Sequence, residues 1–215
     1  MSAPAGTRVG SPPAIGIFVG GRGLRMGGAA KANLLFEGRT ILERTLDACA
    51  AATRQLFGNG ATPRIWLVGD SSAYAAAHGV QRVEDDPRGV GPMGGLRAFL
   101  RELSAETPGL VIAGDLPFLT EHLIARLASE ALGAAALAPR ELDGRWQPLF
   151  ARYEPRVTVP EIDAALGAGK TSLQHLFARL GQRAVLLELS TTERCCLQDW
   201  DRPSDVIAGC PNSAE

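Results

Sequence analysis

The chain has 215 residues, 46% of them hydrophobic and 21% charged, with a formal net charge of −1. That is enough for one globular α/β domain with a sizeable core, and it excludes a broadly basic surface of the kind that binds nucleic acid or membrane. No apolar run reaches the length of a membrane span, and the Gly-, Pro-, Ala- and Ser-rich residues 1–14 lack the apolar stretch of a secretory signal.

In chain order, residues 1–14 read as a disordered tail, 15–208 as the folded domain, and 209–215 as a second disordered tail. Apolar runs predict strands at 15–19, 64–68, 81–83, 110–113, 134–138, 149–152 and 184–187. Helices are predicted at 40–53, 72–78, 93–103, 120–132, 162–166 and 172–180, with Thr120 a good N-cap for the fourth. Such alternation predicts a three-layer sandwich, a mainly parallel sheet with helices on both faces. Asp143-Gly144 is a turn signal between two strand-like runs, predicting a small antiparallel excursion over one end of the crevice. Ligands of these sheets gather at the carboxyl ends of the strands, where the segment after residue 19, Asp70, Asp85 and Asp115 all fall. The four cysteines, Cys49, Cys195, Cys196 and Cys210, have neither zinc-site nor disulfide-framework spacing, and free thiols suit a cytoplasmic protein. His78, His122 and His175 are scattered, with no metal-ligand spacing, and read as structural.

The most informative segment is Gly20-Gly21-Arg22-Gly23-Leu24-Arg25-Met26-Gly27-Gly28-Ala29-Ala30-Lys31, directly after the first strand. Its five glycines free the backbone to turn N–H groups toward one point, and Arg22, Arg25 and Lys31 add positive charge there. A polyphosphate fits such a surface. The segment is not a dinucleotide fingerprint, because Met26 stands at the third glycine position, and it is not a P-loop. Gly169-Lys170-Thr171 resembles the end of a P-loop, but Ala164 occupies the first glycine position, so it reads as an approach to a helix. Asp115, ending the run Val111-Ile112-Ala113-Gly114 before Leu116-Pro117-Phe118, is a hard oxygen ligand at a strand end, suited to magnesium (Mg2+). Asp85-Asp86-Pro87-Arg88-Gly89-Val90-Gly91-Pro92-Met93-Gly94-Gly95 opens a helix whose N-terminus, with Gly91 and Gly95, can face an anion.

G-G-x-G-x-R-M-G-G-x-x-K after a first strand resembles the signature loop of the molybdenum cofactor guanylyltransferase family and its relatives, and the resemblance extends from about residue 15 to 206. It implies a Rossmann-like fold of the nucleotide-diphospho-sugar transferase type. It also implies transfer of GMP from GTP to molybdenum-carrying molybdopterin, with pyrophosphate released and Mg2+ as cofactor. In that reading Phe18, Val19 and Gly20 bracket the nucleoside, Gly21 and Gly23 supply amides, and Arg25, Lys31 and Asp115 are catalytic. Asp115 matches the family's D-x-P-F/Y aspartate, which holds the metal. Asp85 aligns with an acid that contacts nucleotide, in a segment where Met93 and Gly94 replace the family's Leu and Ala. Asp70 falls where the family often has Asn, and a carboxylate there lacks the amide's donors. Gln147 in Trp146-Gln147-Pro148-Leu149 aligns with a residue able to hydrogen-bond the pterin; its other reading is an outward strand position. Asp199 and Asp201 replace two Asn-type positions near the C-terminus, with Arg202 for Thr, leaving acceptor contact, metal contact or a plain turn open. The resemblance extends to molybdoenzymes or their chaperones as partners. CTP as donor, a sugar phosphate as acceptor, and a non-catalytic nucleotide-binding accessory protein are the rival readings.

Overall fold

The computed structural model describes residues 12–19, 31–74 and 80–199. Outside the described residues lie most of the predicted N-terminal tail, Gly20, Gly21, Arg22, Gly23 and Arg25, the Lys31 side chain, His78, and the stretch from residue 200 with Asp201, Arg202, Cys210 and the predicted C-terminal tail.

The strands, in chain order, are β1 (Ala14–Phe18), β2 (Leu35–Phe36), β3 (Arg39–Thr40), β4 (Arg64–Val68), β5 (Gln81–Val83), β6 (Gly109–Ala113), β7 (Ala136–Ala138), β8 (Phe150–Tyr153) and β9 (Ala184–Leu186). The helices are α1 (Ile41–Phe57), α2 (Pro92–Arg101), α3 (Glu121–Ser129), α4 (Pro155–Gly167), α5 (Leu173–Leu180) and α6 (Thr191–Cys195). Seven strands form one sheet in the order β5-β4-β1-β6-β8-β7-β9. β5, β4, β1 and β6 are parallel, β8 is antiparallel to both its neighbours, and β7 and β9 are parallel.

The two-residue period of the strands divides the core into two layers. Ile15, Ile17, Leu67, Leu110 and Ile112 face one side and join Leu42, Cys49, Leu123 and Leu127 of α1 and α3. Phe18, Trp66, Val68, Val111 and Tyr153 face the other and join Leu96 and Phe99 of α2, Ile162 of α4 and Phe177 of α5. β1 is buried along its whole length, as a central parallel strand must be. Gly16 lets α2 close onto it, since a Cβ there would sit 2.9 Å from the Phe99 ring.

The strand predictions at 64–68 and 81–83 match β4 and β5, and the three-layer sandwich is as expected. Other elements differ. β1 starts at Ala14, which pairs with Arg64 and Gly109, so this residue belongs to the domain and not to the tail. α4 begins seven residues before the predicted 162, with Pro155 in its first turn, where a missing N–H leaves nothing unpaired. The predicted helix at 72–78 is a single 3-10 turn over Ser72–Tyr74 in its described part. The β2–β3 hairpin and α6 were not predicted. The antiparallel excursion is present: Arg140 bridges Trp146, Glu141 N–H donates to Arg145 O at 2.8 Å, and Gly144 N–H donates to Glu141 O at 3.0 Å.

Candidate active site

The chain leaves β1 outward to β4 and β5, then returns past β1 to β6, so the strand order reverses between β1 and β6. A crevice opens at the carboxyl ends of such a pair. Val19 N–H donates to Val68 O at 3.1 Å and Gly114 N–H donates to Phe18 O at 2.9 Å, tying three strand ends together. A Cβ at Gly114 would meet Phe18 O at 2.9 Å and Val19 Cγ1 at 3.2 Å. Glycine there lets the chain just before Asp115 close onto the end of β1 and Val19. Asp115 is half-buried, and the capping of α3 falls to Thr120, whose hydroxyl accepts from Leu123 N–H at 3.4 Å. Asp115 lines a cavity of about 490 Å³ together with Pro92, Glu141, Gln147, Leu197 and Asp199. Three sequence candidates far apart in the chain, Asp115, Gln147 and Asp199, therefore share one space.

A second cavity of about 490 Å³, lined by Gly69, Asp70, Glu84, Asp85 and Arg88, lies at the carboxyl ends of β4 and β5. Its two predicted acids differ. Asp70 is exposed; its Oδ1 accepts from Ser72 Oγ at 2.7 Å and from Ser72 N–H at 3.1 Å, and these bonds hold its carboxyl below the ordinary value. It caps the following 3-10 turn. Asp85 is half-buried, and that burial, with Glu84 beside it, pushes its carboxyl up. A Cβ at Gly95 would stand 2.9 Å from Asp85 Oδ1, 2.9 Å from Val68 Cγ1 and 3.1 Å from Phe18 Cε1. Gly95 packs beneath the Asp85 carboxylate, where any side chain would meet it. The Phe18 ring is buried in the core under α2, so any contact of this residue with a nucleoside falls to its main chain. Gly91 takes the N-cap position of α2 at φ 70°, with open space where a Cβ would be. Sequence reasoning passed over Tyr74, which is 4% exposed. Burial pushes its phenol up, the Ala32 main chain draws it down, and the charges of Asp115 and Asp70 add to the rise.

The wall opposite Asp70 is built by the 139–149 excursion. Gln147 is not an outward strand residue: its main-chain N–H donates to Pro139 O at 3.0 Å and its Nε2 donates to Glu141 Oε1 at 2.6 Å. Gln174 of α5 grips the neighbouring main chain, accepting from Trp146 N–H at 3.1 Å and donating to Trp146 O at 2.7 Å. The Trp146 ring stacks on Phe177 at 4.6 Å, with the Arg140 guanidinium 4.1 Å from its centroid. α6 delivers Leu197 and Asp199 to the same cavity. It is docked by Glu193, which accepts from Arg126 Nη1 at 2.6 Å and from Ser190 N–H at 2.8 Å. Burial pulls the Glu193 carboxyl up, but the Ser190 main chain, the Arg126 guanidinium and the Ser190 hydroxyl outweigh it and hold it down at about 2. Glu141, Gln174 and Tyr74 gave no sequence signal, because their partners are set by the fold. Gly169-Lys170-Thr171 has no strand before it: Gly169 N–H donates to Leu166 O and Lys170 N–H to Ala165 O, both at 2.9 Å, closing the C-terminus of α4.

Among the described residues no group of three or more His, Cys, Asp or Glu could hold a metal, and Cys49, Cys195 and Cys196 are in no disulfide. One or two carboxylates with substrate phosphates and waters satisfy Mg2+, so Asp115 with Asp199 nearby fits that ion. No helix among the described residues is long and apolar enough to cross a membrane.

Residues 15–184 match the MobA-like NTP transferase domain. The chain is 33% identical over 161 residues to a probable molybdenum cofactor guanylyltransferase of Methanosarcina mazei, covering 73% of this chain and 70% of the relative. It is 31% identical over 175 residues to the molybdenum cofactor guanylyltransferase of Pseudomonas putida, covering 78% and 83%. Among solved structures, the molybdopterin-guanine dinucleotide biosynthesis protein A of Archaeoglobus fulgidus superposes with a TM-score of 0.69 at 22% identity, over 90% of this chain and 95% of that one. The 2-C-methyl-D-erythritol 4-phosphate cytidylyltransferase of Thermus thermophilus shares the fold with a TM-score of 0.62 at 19% identity, over 91% and 96%. A match that starts in β1 and runs into β9 makes the chain a nucleotidyltransferase of the MobA-like NTP transferase family.

Proposed function

We propose that the protein transfers the guanylyl group of GTP to the phosphate of molybdenum-carrying molybdopterin, forming a guanine dinucleotide cofactor and releasing pyrophosphate. The supporting observation is the position of Asp115, at the strand-order reversal, in a cavity shared with Gln147 and Asp199. The donor base and ribose occupy the Asp70–Asp85 side; the acceptor occupies the Gln147 side, where Gly91 and Asp199 border it and Asp201 follows. An acceptor phosphate oxygen attacks the α-phosphorus in line, and the bond to the β-phosphate oxygen breaks. The nucleophile is already anionic, so no covalent enzyme intermediate is needed. Lys31 and Arg25, with the amides of Gly20, Gly21 and Gly23, offset the charge on the leaving pyrophosphate. Asp115 would hold Mg2+, with Asp199 as its second carboxylate; when bound, the ion neutralises phosphate charge. A cytoplasmic site of action and delivery of the product to molybdoenzymes or their chaperones belong to the same reading.

The test is pyrophosphate release with GTP, CTP, ATP and UTP, each with and without molybdenum-loaded molybdopterin. Release with GTP and acceptor together is expected. Release with CTP alone overturns the donor, release with a hexose 1-phosphate overturns the acceptor, and nucleotide binding without release indicates an accessory protein.

A further inference from the structure

The excursion wall of the Asp115 cavity holds a carboxylate–amide pair that the transfer chemistry does not use. Glu141 and Gln147 both line the cavity, and Gln147 Nε2 donates to Glu141 Oε1 at 2.6 Å. The backbone on either side is fixed. Glu141 N–H donates to Arg145 O at 2.8 Å, Gln147 N–H donates to Pro139 O at 3.0 Å, and Gln174 holds both main-chain polar groups of Trp146 between them. Trp146 is not a stacking platform for an incoming ring, since Phe177 and Arg140 pack on it at 4.6 and 4.1 Å. Recognition of a planar ligand on this wall therefore falls to its edge. An ionised carboxylate only accepts hydrogen bonds, and the amide oxygen of Gln147 also accepts. The matching edge carries adjacent N–H donors, which is the 2-amino group and N3–H of a 2-amino-4-oxopyrimidine ring. A 2,4-dioxo ring keeps one of those donors and sets a carbonyl oxygen where the other was, against the carboxylate.

We propose that Glu141, oriented by Gln147, selects the 2-amino-4-oxo ring edge of the acceptor. This rests on the acceptor reading given above. The test is calorimetric titration of the full chain, without nucleotide, with 6-hydroxymethylpterin and with 6-hydroxymethyllumazine, which differ in that edge. The pterin binds about tenfold or more tightly than the lumazine, the margin of one hydrogen bond to a charged group. Glu141→Gln turns an acceptor oxygen into a donor, so it lowers pterin binding to the lumazine level while leaving the heat of GTP·Mg2+ binding unchanged. Equal binding of the two rings, no binding of the pterin, or an unchanged preference in Glu141→Gln overturns the proposal. The probes carry no phosphate and need no donor. A chain that prefers pterin yet releases no pyrophosphate loses the transfer reading alone, whereas one that modifies molybdopterin but ignores the ring edge loses the role of Glu141 alone.

Discussion

The two halves of the crevice are held by different physics. On the β5-β4-β1 side, shape comes from close backbone approach: Gly114 lies against the Phe18 carbonyl, and Gly95 lies beneath Asp85. On the β8-β7-β9 side it comes from side chains reaching across the fold, with Gln174 gripping Trp146 and Arg126 gripping Glu193. A glycine contact has no tolerance for an added methyl, whereas a side-chain clamp loses about 1 kcal/mol or a little more when cut. The donor half should therefore fail sharply on small insertions, and the acceptor half should fail by degrees.

Asp115 stands between the halves, and Asp115→Asn gives the largest expected effect. Turnover should fall about 10²-fold or more in steady-state pyrophosphate release, with an unchanged circular dichroism spectrum. Near wild-type rates would remove Asp115 from the chemistry. The next effect belongs to the acceptor half. The Glu193 carboxyl is held at about 2 against an ordinary 4.5, so its contribution is complete above about 4.5 and is lost as pH falls toward 2. The protection of the amides over residues 190–197, measured against their intrinsic exchange at each pH, should fall across that acid range. Glu193→Gln should show faster exchange already at pH 7, by an opening energy of about 1.5–3 kcal/mol, with little further change on acidification.

Gly95→Ala is the test of the donor half. In an exposed helix the change would stabilise by about 1 kcal/mol. Here its Cβ displaces the Asp85 carboxylate, and KM for GTP should rise about tenfold with KM for the acceptor unchanged. Gln174→Ala is the smaller, mirror-image case. It should raise the acceptor KM about fivefold and leave the GTP KM alone, the consequence of losing about 1 kcal/mol of positioning. If both variants moved the same KM, the division of the crevice would be wrong.

The same contrast explains what could be read from the sequence. The donor half is written in local signals: buried apolar runs, glycines after strand ends, and Asp115 after a strand. Strand–helix alternation gives a mainly parallel sheet with its crevice at the carboxyl strand ends, but the order and register of β1, β4 and β6 are set by the fold, because β1 is buried on both faces and carries no alternation. The acceptor half depends on pairs that no local pattern marks. Trp146 and Gln174 are 28 positions apart, and Arg126 and Glu193 are 67 apart. Even there the Asp143-Gly144 turn signalled the excursion, though not the Glu141–Gln147 pair within it. The core packing of the Phe18 ring and the tight seat of Gly95 under Asp85 carry no local signal, because a motif shared with a family names positions without separating contact from support. α4 was shortened because Pro155 and Pro160 are helix breakers except in a first turn and, at a cost, within a helix held by tertiary packing.

The division of the crevice is tested most directly by amide hydrogen exchange with GTP·Mg2+ added in the absence of acceptor. Exchange should slow over residues 84–90 and stay unchanged over 141–149. Protection of 141–149 with 84–90 unaffected would contradict the assignment of donor and acceptor to their two sides.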